Sequence, residues 1–153
     1  MKNTDTYNRL LEYLTVSKES DDLYRGLAKG FGMSECSFWI LYTLRAEKKS
    51  WTQHEICGYL FEPKQTVNSA LKKLETDGYI KLSHTRDRRS KHIFLTEKGL
   101  GLAEETADKI LEAEYFALSG LSAEEQMVFV GLYKKFLKRF KENLPVFSRK
   151  EDV

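Results

Sequence analysis

The side chains best suited to bind a ligand lie in one short cationic segment between two strand-like stretches. The segment contains Arg86, Asp87, Arg88, Arg89 and Lys91. Guanidinium groups form paired hydrogen bonds with phosphate oxygens, and their weak hydration suits a narrow, negatively charged groove. A carboxylate would repel phosphate, so we expect Asp87 to pair with Arg89 or with a backbone N–H and thereby fix the turn. The segment predicts a phosphate-rich partner, with Arg89 reaching into a groove and the other cations contacting phosphates.

Positive charge is concentrated around this segment. Residues 63–92 contain eight basic and three acidic side chains, a net charge of +5, whereas the whole chain carries only +2. The rest of the chain therefore carries −3. A basic region beside an acidic remainder is typical of a lobe that binds nucleic acid. A solvated basic face has the same composition, so charge alone leaves both interpretations open.

An amphipathic helix is predicted immediately before the cationic segment, from Pro63 to about Asp77. Proline suits the first turn of a helix, and Gly78 supplies a C-terminal stop. One face is apolar and must be packed: Val67, Ala70, Leu71 and Leu74. The opposite face carries polar side chains that can contact base edges and phosphates: Lys64, Gln65, Thr66, Asn68, Ser69 and Lys72. The alternative interpretation is an ordinary solvated helix face.

A second, shorter helix precedes this one and completes a helix-turn-helix unit. Thr52 and Glu55 form a capping-box pattern, in which each side chain bonds the other residue's backbone N–H. A turn at 61–62 then joins the two helices. In helix-turn-helix proteins the N-terminal part of the second helix enters the major groove of DNA, which makes the polar face of residues 63–77 the best-placed reader of bases.

Alternating residues on either side of the cationic segment predict a β-hairpin. Ile80 and Leu82 alternate with polar residues before it, and Ile93 and Leu95 do so after it. The cationic segment is then the tip of the hairpin. A helix followed by a basic hairpin can place one element in a DNA groove and the other in the next groove.

Helical patterns account for the rest of the chain. Residues 7–27 have apolar side chains at helical spacing, and Ser34 can cap a helix that is apolar almost all round. Thr96 is placed to cap a long continuous helix that ends at Gly120. Ser122 begins a second capping box and a final helix. The pattern predicts a mainly α fold with a small β-hairpin wing.

The wing region carries a motif: Asp87, Arg89, Leu95, Thr96 and Gly99. These residues match, one for one, the Asp-x-Arg and Leu-Thr-x-x-Gly pattern of the MarR family of bacterial transcriptional regulators. The order of helices and strands is also similar, and the resemblance covers essentially the whole chain. It implies a winged helix-turn-helix DNA-binding region at 34–96 and a helical dimerisation region formed by 1–33 and 97–153.

The resemblance implies a sequence-specific regulator, a homodimeric repressor that binds a pseudo-palindromic operator in double-stranded DNA. The terminal helices support a dimer independently, because they carry more apolar surface than a small lobe can cover. Their apolar residues include Tyr7, Leu10, Leu14, Phe129, Phe136 and Phe140. Packing of these helices on their own chain is the alternative.

Members of the family often release DNA when a small aromatic or lipophilic effector binds between the dimer helices and the DNA lobe. The candidate pocket residues are Tyr24, Phe31, Cys36, Trp39 and Tyr42. Aromatic side chains at helical spacing are also typical of a plain core. The effector is therefore a hypothesis that these residues permit and do not require.

A cysteine-based redox sensor is an alternative function. Cys36 follows the start of a strongly apolar helix, where burial should raise its pKa and suppress thiolate reactivity. Its position also differs from the N-terminal cysteine of the peroxide-sensing branch of the family. The zinc-responsive branch uses histidines in the long fifth helix, and no histidine follows His92 in this chain. We therefore expect neither a metal nor another cofactor.

The composition excludes other classes of protein. A chain of 153 residues with 41% hydrophobic side chains predicts one compact fold with a real core. No apolar run reaches the roughly 18 residues of a membrane span, and no secretion signal is evident, which favours the cytoplasm. No phosphate-binding glycine loop or nucleophile–base motif suggests an enzyme. A winged-helix module that binds protein instead of DNA remains the other alternative.

Overall fold

The residues that the computed structural model describes, 4–47, 49–84 and 90–144, form seven helices and one antiparallel hairpin. In chain order the elements are α1 (Thr4–Gly30), α2 (Glu35–Ala46), α3 (Gln53–Tyr59), α4 (Lys64–Thr76), β1 (Ile80–His84), β2 (Lys91–Leu95), α5 (Glu97–Glu105), α6 (Ala107–Ser119) and α7 (Ala123–Glu142). The predicted fold class, mainly α with a small hairpin wing, is confirmed.

The helix starts predicted from the sequence are confirmed by their capping bonds. The hydroxyl of Ser34 accepts a hydrogen bond from the backbone N–H of Ser37 at 3.1 Å. Capping boxes begin α3 at Thr52 and α7 at Ser122, each with a glutamate three residues later that bonds back to the cap. Each cap satisfies backbone donors that the first turn of a helix otherwise leaves unpaired.

A single apolar core holds the helix-turn-helix together. Helix α4 packs on α2 and on α3, while strand β1 packs on α4 and strand β2 on α3. The buried members of this core are Cys36, Ile40, Leu41, Trp51, Ile56, Val67, Ala70, Leu71, Leu74, Ile80 and Ile93. The turn between α3 and α4 contains Phe61, whose φ of 54° lies in the left-handed region and reverses the chain direction. The core thereby fixes which face of α4 remains outside.

The hairpin is anchored to the end of α4 and the start of α5 by two glycines. Gly78 has a φ of 79° and ends the helical region, as the sequence predicted. Gly99 is buried against the backbone, and a Cβ atom at this position would lie 1.8 Å from the carbonyl oxygen of Tyr79. Thr96 joins the same region, because its hydroxyl donates to the carbonyl oxygen of Gly78 at 2.6 Å and accepts from the N–H of Gly99. These contacts explain why the Leu-Thr-x-x-Gly motif follows the wing.

The prediction of one continuous helix from Thr96 to Gly120 was wrong. The backbone leaves helical geometry at Thr106, where φ is −127° and ψ is −84°, and two helices result. The hydroxyl of Thr106 donates to the carbonyl oxygen of Leu102 at 2.7 Å. A β-branched residue with such a back-bond is one that helices tolerate poorly. Periodicity could not show this break, because the apolar spacing continues across it.

The chain divides into two compact units, Met1–Leu111 and Glu112–Val153. The first contains the helix-turn-helix and the hairpin, and the second contains α7, which has no buried residue. Within the described ranges, no helix has both the length and the apolar character needed to cross a membrane.

Candidate nucleic-acid interface

The outer face of α4 is formed by polar and cationic side chains. Its inner face is buried through Val67, Ala70, Leu71 and Leu74, as the 100° rotation per residue predicts. On the outer face, the side chains of Lys64, Gln65, Thr66, Ser69 and Lys72 are exposed. Asn68 differs from them, because it is half-buried against α3. The helix therefore presents one polar strip to solvent.

Five of the six predicted residues of α4 line one shallow depression, which we call the α4 surface: Lys64, Gln65, Asn68, Ser69 and Lys72. Its volume is about 470 Å³. Two ammonium groups suit phosphates, whereas amide and hydroxyl groups can donate to and accept from base edges. Thr66, the sixth, lies instead in a neighbouring cleft of about 660 Å³ between α4 and the start of α2.

The hairpin lies next to α4 along the chain and is regular up to its tip. Ile80 pairs with Leu95 and His84 pairs with Lys91, which sets the register of the two strands. Lys91 is exposed at the start of β2. The other four predicted tip residues lie outside the described ranges: Arg86, Asp87, Arg88 and Arg89. Their groove and phosphate contacts, including the pairing of Asp87 with Arg89, stay predictions.

A cleft of about 340 Å³ joins α3, the start of α4 and the tip-proximal end of the hairpin. We call it the α3–hairpin cleft. Its lining residues are Gln53, His54, Cys57, Lys64, Asn68, His84, Ser90 and Lys91. Sequence reasoning missed Gln53, His54, Cys57, His84 and Ser90 as members of this surface. The Thr52 cap predicted that Gln53 and His54 occupy the first turn of α3. In a helix-turn-helix the two helices pack together, so this turn could have been expected to lie near α4.

Two residues of α3 hold the side chain of Asn68. Gln53 Nε2 donates to Asn68 Oδ1 at 2.9 Å, and Cys57 Sγ lies 3.6 Å from the same oxygen. Burial raises the pKa of the Cys57 thiol, and nearby Lys64 opposes this in part. The thiol therefore keeps its proton at neutral pH and acts as a donor. Within the part of the chain that the structure describes, Asn68 is thus a predicted member of the α4 surface whose side chain is hydrogen-bonded to another helix, α3.

Four of the five predicted effector residues belong to one aromatic cluster. Tyr24 and Tyr42 each contact the ring of Trp39, with centroids 4.9 and 5.2 Å from it. Phe31 joins them through Phe38, whose ring lies 6.2 Å from Phe31, 5.3 Å from Trp39 and 5.9 Å from Tyr42. Trp39 and Tyr42 line a small cleft of about 240 Å³, whereas Cys36 does not. The role of these residues in binding an effector stays a prediction.

Cys36 is buried in the core of the helix-turn-helix and lines the cleft that also contains Thr66. Burial, with smaller contributions from Glu62 and Cys57, raises the pKa of its thiol to about 11. The thiolate is the form that reacts with oxidants. The environment therefore disfavours the redox alternative. Among the described residues, no group of three His, Cys, Asp or Glu side chains is placed to hold a metal ion.

The fold and this surface define a winged helix DNA-binding domain, and the model of that domain family matches residues 34–99. A curated relative, an uncharacterised HTH-type transcriptional regulator, YwoH, from Bacillus subtilis strain 168, is 31% identical over 109 residues. That match covers 71% of this chain and 79% of YwoH.

Solved structures show the same fold. MepR of Staphylococcus aureus in its DNA-binding conformation is 26% identical, with a TM-score of 0.71 over 88% of this chain and 98% of MepR. MepR has also been crystallised as a complex with DNA. Sco3205, a MarR family regulator from Streptomyces coelicolor solved with DNA, is 20% identical, with a TM-score of 0.71 over 95% of this chain and 98% of its own. The chain belongs to the MarR family, and it is a DNA-binding transcriptional regulator and not an enzyme.

Proposed function

We propose that this chain is a homodimeric repressor that binds a specific operator in double-stranded DNA and leaves it when a small molecule binds. The observation that carries the proposal is the α4 surface, where exposed lysines lie on either side of amide and hydroxyl side chains. Lysines that contact phosphates supply affinity for any duplex, and polar groups that reach base edges supply sequence preference. A regulator of this kind acts in the cytoplasm of a bacterium.

The neighbouring hairpin supports duplex DNA as the partner. A helix in the major groove leaves the minor groove open to a basic wing, and Arg89 is the proposed residue for that groove. MepR and Sco3205 have been solved with DNA, which supports the same use of the fold here. The proposed contacts combine the polar residues of α4 with Arg86, Arg88, Arg89 and Lys91, while Asp87 holds the tip.

Exposed apolar side chains on the terminal helices support a dimer. Helix α1 exposes Tyr7, Leu10 and Leu14, and Ala28 is the only one of its residues that is buried. Helix α7 exposes Phe129 and Phe140 to 60% and 52%. Apolar surface of this extent on a regulator marks an interaction site. We assign 1–33 and 97–153 to dimerisation and 34–96 to DNA binding, and a twofold dimer would suit a pseudo-palindromic operator.

An effector site is proposed at the aromatic cluster of Tyr24, Trp39 and Tyr42. The cleft beside Trp39 and Tyr42 is also lined by Tyr59 and Leu60, so α2 and α3 both border it. An aromatic ligand there would contact the helices that support α4. Binding could then change the position of α4 and weaken the complex with DNA.

The test is binding of labelled duplexes from the region upstream of the chain's own gene, measured by fluorescence anisotropy from 50 to 300 mM salt. We expect tight binding to one site, weak binding to scrambled duplex, and log affinity that falls linearly with log salt. Arg89→Ala should weaken binding to both duplexes. Equal affinity for specific and scrambled duplex would contradict a sequence-specific repressor, and analytical ultracentrifugation showing a monomer at micromolar concentration would contradict the dimer.

A further inference from the structure

Asn68 lies where two concave surfaces meet. It lines both the α4 surface and the α3–hairpin cleft, and among the residues of the helix only Lys64 does the same. Lys64 is a flexible, exposed cation, whereas the Asn68 side chain is half-buried and bonded to α3. A side chain that faces a DNA-binding surface with its orientation already set is suited to discriminate bases.

The oxygen of the Asn68 amide is already used within the protein. An amide oxygen has two lone pairs, and two groups of α3 approach it, Gln53 Nε2 at 2.9 Å and Cys57 Sγ at 3.6 Å. Both are donors, because the Gln53 amide nitrogen carries hydrogens and the Cys57 thiol stays protonated. Two converging donors place the oxygen of Asn68 toward α3, so its amide nitrogen is the group left for another partner.

We propose that Gln53 is a positioning residue that makes Asn68 a hydrogen-bond donor to DNA. A free asparagine pairs with adenine through both atoms, accepting from the N6 amino group and donating to N7. With its oxygen bonded to α3, Asn68 can only donate. It then favours a base whose exocyclic group is an acceptor, guanine O6 or thymine O4, over adenine or cytosine, whose exocyclic amino groups are donors, whereas the N7 atom of either purine can accept from it and does not discriminate.

This inference rests on the proposed sequence-specific function and names one determinant of it. Gln53→Glu tests it, because a carboxylate has no hydrogen to donate and accepts from the amide nitrogen of Asn68. The amide then turns over and presents its oxygen to DNA. A glutamate in the first turn of α3 also suits the positive end of the helix, so the variant should fold. Thermal unfolding followed by circular dichroism checks this.

The readout is base preference, obtained by selecting bound duplexes from a randomised operator library and sequencing them. Asn68→Ala first identifies the base pair that depends on Asn68. At that position the wild type should favour guanine or thymine, and Gln53→Glu should shift the ratio toward adenine or cytosine by about 5- to 100-fold. Gln53→Met, which has nearly the same length and cannot bond the oxygen of Asn68, should broaden the preference.

His54→Glu is the matched control, because it adds the same charge one residue away without a bond to Asn68. It should weaken binding to all duplexes and leave the ratio of bases unchanged. An unchanged ratio in Gln53→Glu, or the same shift in His54→Glu, would overturn the inference while leaving the proposed function intact. The inference would also be overturned if Asn68→Ala selected the same bases as the wild type at every position of the library. A wild type without any base preference would instead overturn the proposed function and this inference with it.

Discussion

Arg45 and Asp108 form a two-bond ion pair between the last turn of α2 and the first turn of α6. Arg45 Nε donates to Asp108 Oδ1 at 2.7 Å, and Nη2 donates to Oδ2 of the same carboxylate. The hydrogen bond to Asp108 raises the pKa of Arg45 further above its ordinary value. The two residues are 63 positions apart, and Asp108 follows the break at Thr106 by two residues. The pair therefore ties the helix-turn-helix to the helix that begins after the break.

Loss of this ion pair should destabilise the fold measurably. We expect Arg45→Ala to lower the free energy of unfolding by about 1–2 kcal/mol, since a bidentate pair is stronger than a single bond but solvent still screens a partly exposed one. Urea denaturation measures the change. Lys109→Ala is the control, because its partner Glu105 is exposed one turn away and the loss should stay below about 0.5 kcal/mol. Equal losses in the two variants would contradict a special role for Arg45.

Two glycines of α5 should respond oppositely to alanine. At Gly99 the added Cβ would meet the carbonyl oxygen of Tyr79 at 1.8 Å, so the hairpin must move away from the helix. We expect Gly99→Ala to cost about 3 kcal/mol or more. At Gly101 nothing lies within 4 Å of the added atom, and alanine should stabilise the helix by about 0.5–1 kcal/mol. Thermal melts of both variants measure these changes in stability. A small loss at Gly99 would show that the fold does not require the close contact between Gly99 and the backbone of Tyr79.

Lys72 and Gln65 should affect DNA binding in different ways. Lys72 is an exposed cation, so Lys72→Ala should weaken specific and scrambled duplexes alike and reduce the slope of log affinity against log salt by about 1. Gln65→Ala should lower the preference for the specific duplex. Anisotropy titrations at several salt concentrations separate the effects. Lys134→Ala on α7 is the control and should change neither quantity. If Lys72→Ala altered base preference without changing the salt slope, a phosphate contact would be ruled out.

The capping box of α3 should make stability depend on pH. The carboxylate of Glu55 accepts from the backbone N–H and from the hydroxyl of Thr52, both at 2.8 Å, and these bonds lower its pKa below 4.5. A carboxylate with a lowered pKa stabilises the fold above its unfolded-state pKa, and this contribution disappears as the pH falls through the folded-state value. We therefore expect Glu55→Gln to be less stable than the wild type at pH 7 and equally stable at the lowest pH.

The measurement for Glu55 is a series of thermal melts from pH 7 to pH 3. Thr52→Val removes both bonds of the hydroxyl, the one to the Glu55 carboxylate and the one from the Glu55 N–H, so it should be less stable at every pH and lose part of the pH-dependent difference. Parallel curves for the wild type and Glu55→Gln over the whole range would contradict the assignment.

Cys36 should not act as an oxidant sensor. Burial raises the pKa of the thiol to about 11, so well under about 1% of it is ionised at pH 7.5. We expect dilute peroxide to leave DNA affinity unchanged, and Cys36→Ala to behave as the wild type in the same assay. Rapid loss of binding that a reductant reverses in the wild type, but that does not occur in Cys36→Ala, would establish the redox alternative.

Local chemistry made much of this protein predictable from its sequence. A cap such as Thr52 with Glu55 and a stop such as Gly78 depend on a few consecutive residues, so their signals survive without knowledge of the fold. The inner and outer faces of α4 also follow from spacing alone. The break at Thr106 was missed, because Thr106 is buried and apolar residues continue on both sides of it.

The sequence by itself determined the class of fold and the residues of the polar α4 face, because helix periodicity and capping are local. Only the tertiary structure decided which of those residues have their orientation set by another helix. The bond from Gln53 to Asn68 joins residues 15 positions apart, and it exists because the turn at Phe61 folds α3 against α4. Spacing assigned Asn68 to the outer face, and packing decided which of its two polar atoms remains available there.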